Sequence, residues 1–513
     1  MNKSVYQLVA ATFAVSLVTA SSERCAKSEV RKLPEKLKLG AATAAFQIEG
    51  AWDASDKSPS IWDTFCRVPG NVKDGTDGND TCKSYEYYQR DIEMLKFLGV
   101  DYYRFSISWP RVLPTGFANK ISEEGIAYYS KLVDELLANG IEPVATLYHW
   151  DLPQSLQDLG GWTNPLIADW FEDYARVLFD ALGDRVKSWI TINEPKQFAI
   201  FGYGMEYFAP QVNSAGIGDY MATKNILLAH ARVWHLYDEE YRDTQKGICG
   251  ITIAADFCEG ASDSPDDIEA GKLAMDFEVG LYAHPIFSST GGFPERVVKR
   301  VAEKSAEQGF PRSRLPELTQ EEIEYIKGTS DFFGFNHYST SFYTEKTYKS
   351  GMYAVPSYSD DIGAVAVGDH ERYEKPTSSF TTPIPAGIRK SLNWVKDSYD
   401  SPEIMIFENG FGSYGSLGLE DNARIDYYGQ YLDAVLDAIE VDGCKITRYT
   451  AWSLMDNFEW SFGLSVKFGL FDVDFEDEKR TRRPKQSALW YRNLIASRTL
   501  NPDDNPQLED IAF

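Results

Sequence analysis

The chain has 513 residues, a length that an α/β barrel with insertions reaches as one domain and that is ample for a large core. Lys and Arg total 51 against 77 Asp and Glu, a net charge of −26, so the basic footprint required by a nucleic-acid partner is missing. Aromatics form 14% of the chain, a content that suits packing against the C–H faces of sugars.

In chain order, the first feature is a signal-peptide pattern over residues 1–20. Lys3 supplies a positive start, residues 5–18 are mostly apolar, and Val18-Thr19-Ala20 resembles a small-residue cleavage site. This predicts a secreted protein with no membrane anchor, since no second apolar run of spanning length follows. Asn79-Asp80-Thr81 is a glycosylation sequon in a Gly/Asp-rich stretch, which makes Asn79 a candidate modification site. Cysteines stand at 25, 66, 82, 249, 258 and 444. Cys66 with Cys82, or Cys249 with Cys258, would close short loops, and the pairing stays open. No metal-ligand spacing is present.

Eight short apolar runs read as strands buried on both faces: residues 38–46, 99–107, 141–148, 186–193, 247–255, 331–336, 403–408 and 446–452. Helical spacing appears over residues 85–98, 126–137, 170–182 and 425–439. Strands alternating with helices indicate parallel βαβ units, and eight of them predict a closed barrel. The expected architecture is α/β, a single (β/α)8 TIM barrel over residues 21–513. Residues 348–382 lack periodicity and read as a long loop between the sixth and seventh strands.

Two glutamates stand at strand ends. Glu194 directly follows the fourth run and Glu408 ends the seventh. Side chains at these ends converge on one mouth of a barrel, where two carboxyls can flank a glycosidic bond. A Glu at a strand end, taken alone, is more often solvated or ion-paired, so the flanking residues matter. Thr191-Ile192-Asn193-Glu194-Pro195 and Phe407-Glu408-Asn409-Gly410 resemble the acid/base and nucleophile motifs of glycoside hydrolase family 1, with Phe407 where the family has Thr. Further matches are Ala42 to Gly50, Tyr103 to Trp109, Leu147 to Pro153, Asn336-His337-Tyr338, and Trp452 to Trp460. The resemblance runs from about Leu39 to Leu494.

That resemblance implies a retaining β-glucosidase with Glu194 as general acid/base and Glu408 as nucleophile, and a chemistry that requires no metal or organic cofactor. It also implies that Gln47, His149, Asn193, Glu459 and Trp460 hydrogen-bond the sugar of a small-molecule glucoside. Trp452 would form the stacking floor, and Tyr338 would hold Glu408. Arg104 would place positive charge near Glu408, and Glu194 would have a raised pKa. Other readings exist: His149 as a core histidine, Trp452 as barrel packing, Arg104 as a structural ion-pair partner. His230, His235, His284 and His370 have no motif support. An anionic Glu459 would repel a sugar phosphate and favour unmodified glucose. Phe380 stands where the family usually has Trp.

The leaving group is open. The resemblance extends to insect β-glucosidases and to insect myrosinases, which cleave thioglucosides bearing a sulfated aglycone. Lys196 is a candidate contact for such an anion, or else a surface or salt-bridged lysine. A catalytically inactive sugar-binding relative is the remote alternative, and the presence of both carboxylates argues against it. Oligomeric state has no signature in the sequence.

Overall fold

The computed structural model describes residues 30–345, 349, 352–367, 379–380, 382–501 and 504–513. The signal-peptide stretch at 1–20, Cys25 and His370 lie outside the described residues. Eight parallel strands close into a barrel: β1 Lys38–Ala42, β2 Tyr102–Ser106, β3 Glu142–Tyr148, β4 Ser188–Asn193, β5 Ile248–Ala254, β6 Phe333–Asn336, β7 Glu403–Asn409 and β8 Lys445–Trp452. They follow one another in chain order around the barrel, with β8 pairing β1. The strand ends sit within a few residues of those expected from the apolar runs.

Alternation explains why the runs are continuously apolar. In β2, Tyr102 and Arg104 face the barrel interior, while Tyr103 and Phe105 face the surrounding helices. The lower interior is filled by Tyr102, Val144, Ile190, Phe332, Met405 and Phe407. Phe407 belongs to this plug. Its ring meets Phe332 at 5.6 Å and lies 5.9 Å below the Arg104 guanidinium. The substitution for Thr therefore supports Arg104 from beneath.

Helices Ser84–Leu98, Glu123–Ala138, Ile167–Leu182 and Asn422–Glu440 cover the outside, each longer at its start than the apolar spacing alone suggested. Capping explains one such extension. Ser122 accepts from the Gly125 N–H at 3.1 Å and starts its helix a turn before the first apolar residue. Among the described residues, no helix is long and apolar enough to cross a membrane.

Two expectations change. The stretch read as one long loop contains a helix, Tyr358–Ile362, and a strand, Val365–Val367. That strand pairs Thr340–Thr344, which also pairs Phe257–Gly260, making a small sheet above the barrel. Elements this short are set by tertiary pairing and leave no period to read. Cys66, Cys82, Cys249, Cys258 and Cys444 are all free thiols, so neither short-loop pair is bridged. Cys249 opens β5 and Cys258 lies past its end, which an extended strand keeps beyond disulfide reach.

Phe407→Ala is expected to lower unfolding free energy by about 3–5 kcal/mol, the usual cost of an emptied aromatic core site. Urea unfolding checks this, and a loss under about 1 kcal/mol would show that the plug collapses around the gap.

Candidate active site

Arg104 is fully buried where the interior opens at the C-terminal mouth. Its Nη1 pairs with Glu408 Oε1. Nη2 donates to Asn193 Oδ1 at 2.7 Å, and Nε donates to Thr146 Oγ1 at 3.1 Å. One guanidinium thus ties β2 to β3, β4 and β7. Glu408 Oε2 accepts from Tyr338 Oη at 2.6 Å, so both oxygens of this carboxylate are held.

Strict alternation would not bring Glu408 here. Met405 and Phe407 point into the barrel, which would turn Glu408 outward. The ladder of β7 slips against β6 between Ile406 and Glu408, and against β8 between Ile406 and Asn409. This irregularity re-aims the carboxylate into the mouth. β4 does the same, with Ile190 in the plug and a slip against β5 between Ile190 and Asn193. The residues after Glu408 serve the same geometry. Asn409 Nδ2 donates to the His337 carbonyl at 2.7 Å, and a Cβ on Gly410 would collide with the Trp452 carbonyl.

Glu194 stands between β4 and helix Pro195–Tyr203, with φ 47°. Trp150 (φ 79°) and Trp460 (φ 50°) also take left-handed backbone at the cavity. Such conformations cost about 1–3 kcal/mol each and persist where the surroundings impose them. Glu194 Oε1 accepts from Asn336 Nδ2 at 2.9 Å, and the same amide reaches Asn193 Oδ1 at 3.1 Å. Burial first, then the charge of Glu408, hold the Glu194 carboxyl well above the usual range, against the opposing Asn336 hydrogen bond. The mouth therefore sets a carboxyl that keeps its proton against a carboxylate held by a cation and a phenol.

Tyr338 Oη keeps its proton, because burial and then the Glu408 charge push its pKa up. His149 stays neutral, its pKa driven well down by burial and then by Arg104. Asn193 Nδ2 lies 3.1 Å from His149 Nε2, which leaves the ring proton on Nδ1. His149 stacks with Trp452 and with Trp460, each at 5.8 Å. Gln47 Nε2 donates to the Phe458 carbonyl at 2.8 Å and reaches Glu459 Oε2 at 3.4 Å. Gln47 Oε1 and His149 Nδ1 are buried without a partner among the described residues, as expected of a wall that receives polar ligand groups. Glu459 departs from the anionic expectation. Burial, then the Glu408 charge, push it up to about 8, against the Gln47 hydrogen bond, so the proton is largely retained at neutral pH.

These residues enclose a cavity of about 290 Å³. His149, Glu194, Tyr338, Glu408, Trp452, Glu459 and Trp460 line it. Gln47, Asn193 and Arg104 are fully buried at its edge, hydrogen-bonded to Glu459, His149 and Glu408. Phe380 lines it too, beside Trp150, Gln197, Phe208, Asp256, Phe462 and Phe468. Trp150 lies within the Leu147 to Pro153 match, and the motifs did not single out the other five. Asp256, two positions past β5, was within reach of the strand-end rule, whereas Phe208 lies in a segment with no motif.

Lys196 departs from the candidate aglycone contact and takes the salt-bridged alternative. It pairs with Glu278 and lines a separate cavity of about 110 Å³ with Ile200, Phe201 and Tyr343. Two residues on from Glu194, the helical turn of about 200° sends it away from the catalytic mouth. Asn79 lies apart from the cavity, its Nδ2 donating to Asp77 Oδ2 at 2.8 Å. No group of His, Cys, Asp and Glu among the described residues is arranged to hold a metal ion.

Residues 29–500 match the profile of Glycosyl hydrolase family 1. The chain is 42% identical over 469 residues to Myrosinase 1 of Brevicoryne brassicae, covering 91% of this chain and 99% of that protein. It is also 42% identical over 465 residues to the cytosolic β-glucosidase of Homo sapiens, covering 90% and 97%. A rice β-glucosidase mutant solved in a covalent complex with Glc superimposes with a TM-score of 0.84 at 35% identity, covering 90% and 98%.

The Glu459 shift carries a stability signature. The folded pKa, about 8, exceeds the ordinary 4.5, so the folded state keeps a proton that the unfolded chain releases. Stability from this group therefore falls as pH rises from about 4.5 to 8. Glu459→Gln removes that loss. The variant is expected to gain on the wild type by no more than about 1.4 kcal/mol per pH unit across this window. Unfolding curves from pH 5 to 8 test it, and a pH-independent difference between the two proteins would contradict the shift.

Proposed function

The chain belongs to glycosyl hydrolase family 1 and is a retaining glycoside hydrolase, and on that premise we propose that it hydrolyses β-glucosides through a covalent glucosyl-enzyme intermediate. One observation carries this reading: within one cavity, the proton-bearing Glu194 stands with a Glu408 carboxylate held by Arg104 and Tyr338.

Glu194 gives its proton to the glycosidic oxygen as Glu408 attacks the anomeric carbon and the carbon–oxygen bond breaks. Glu194, now a carboxylate, takes a proton from water, the water oxygen bonds the anomeric carbon, and Glu408 leaves. Asn193, fixed by Arg104 and Asn336, contacts the 2-hydroxyl, where hydrogen bonds strengthen in the transition state. Gln47, His149, Glu459 and Trp460 take the remaining hydroxyls, over the face of Trp452. Among the described residues lining the cavity there is no Lys or Arg to receive a phosphate, which supports an unmodified sugar. The pattern over residues 1–20 supports secretion.

Thioglucoside cleavage is the second reading, favoured by the match to Myrosinase 1. The same 42% identity links the chain to a β-glucosidase, and Lys196 is engaged by Glu278. The oxygen-linked reading is therefore preferred.

Purified protein assayed on alkyl, aryl, cyanogenic and thio-β-glucosides is expected to turn over the oxygen-linked substrates best. Glu408→Ala should cut kcat on the order of 10⁴-fold or more, and activity surviving in that variant would remove Glu408 as nucleophile. Glu194 works as an acid only while protonated, so kcat/KM should fall as pH rises through its elevated pKa. Glu194→Gln is expected to lose that alkaline limb and to lower kcat/KM by about 10²–10⁴-fold on alkyl glucosides. The loss should be smaller on nitrophenyl glucoside, whose leaving group needs little protonation. An unchanged alkaline limb would assign the acid elsewhere.

A further inference from the structure

Asp256 stands two residues past β5 on the wall of the catalytic cavity, with its side chain 42% exposed. Its carboxylate is held in place. Oδ1 accepts from the Tyr338 and Ser339 N–H groups at 2.7 and 2.9 Å, and Oδ2 accepts from Ser339 Oγ at 3.2 Å. All three donors are neutral, and among the described residues no Lys or Arg pairs with it.

The titratable groups around Asp256 leave its charge standing. His337 Nδ1 is 3.8 Å away but donates to the Ala255 carbonyl, and burial keeps the ring neutral. Lys196 feels the Asp256 charge but pairs with Glu278 rather than with Asp256. Cys258 and Tyr431 keep their protons because they are buried, and Glu194 keeps its own for the same reason. Glu408 is answered by Arg104.

Position assigns this charge to one side of the reaction. Asp256, Gln197 and Ser339 follow β5, β4 and β6, one arc of the barrel, with Glu194 at its β4 end. Gln47, Glu459 and Trp460 follow β1 and β8, across the mouth. Glu194 protonates the departing oxygen, so the leaving group lies on the Asp256 arc, which also carries Phe208 and Phe380.

We infer that Asp256 is a specificity-determining residue for the leaving group: its uncompensated carboxylate, fixed by neutral donors on the cavity wall, selects β-glucosides with a cationic aromatic aglycone over those with an anionic one. This rests on the β-glucosidase reading. Unit charges a few ångströms apart in a partly hydrated cleft change relative rates by about three- to tenfold per charge step.

The test compares 4-(aminomethyl)phenyl, 4-(hydroxymethyl)phenyl and 4-carboxyphenyl β-glucosides at roughly pH 6, where the first is a cation and the last an anion. For the wild type, kcat/KM should fall in that order, and about 0.5 M salt should narrow the spread. In Asp256→Asn the cation-to-anion ratio should drop by about tenfold. The variant keeps the Oδ1 acceptor for both N–H groups. A purely structural defect, or a change in Glu194 acidity alone, scales all three substrates together and leaves the ratio standing. The same ratio in the two proteins, or a wild type that prefers the anion, overturns the selection. A wild type that releases glucose from none of the three overturns the β-glucosidase reading itself.

Discussion

The Arg104 guanidinium is the constraint on which the site depends. A fully buried cation is costly to desolvate, and here it is answered by a carboxylate, an amide oxygen and a hydroxyl from three other strands. Removing any partner would leave buried charge unmatched, so the arrangement holds β2, β3, β4 and β7 in one register at the mouth. Phe407 supports it from below, which gives that departure from the family motif a packing role.

From this anchor the two glutamates acquire different characters. Glu408 lies directly on the cation and is held again by the Tyr338 phenol. Among the described residues Glu194 receives one neutral amide donor, and it feels the charge of Glu408, so burial prevails and it keeps its proton. Two identical side chains thus sit in unequal surroundings, as the proposed donor and nucleophile roles require. Backbone cost accompanies this division: left-handed conformations at Trp150, Glu194 and Trp460, and slipped ladders in β4 and β7, concentrate at the one mouth.

The cavity is also asymmetric in what it offers. One arc presents amide, imidazole and carboxyl groups over indole faces, matching a ring of hydroxyls. The other presents phenylalanines and the carboxylate of Asp256. Such a division demands much of the sugar and leaves the partner across the glycosidic bond to be chosen by shape and charge.

The sequence by itself determined the barrel and the positions of both carboxylates. Strands buried on both faces must be apolar throughout, and the mouth residues must follow them, so Glu194 and Glu408 were legible from run ends and flanking motifs. Local patterns could not show that Glu408 faces inward despite an inward Phe407, because that depends on a slip in inter-strand pairing. Nor could they show which way Lys196 turns, that Glu459 is pushed up to about 8, or that among the described residues Asp256 pairs with no Lys or Arg. Those outcomes rest on groups distant in the chain and adjacent in space, and burial and charge act on a side chain only once its neighbours are assembled.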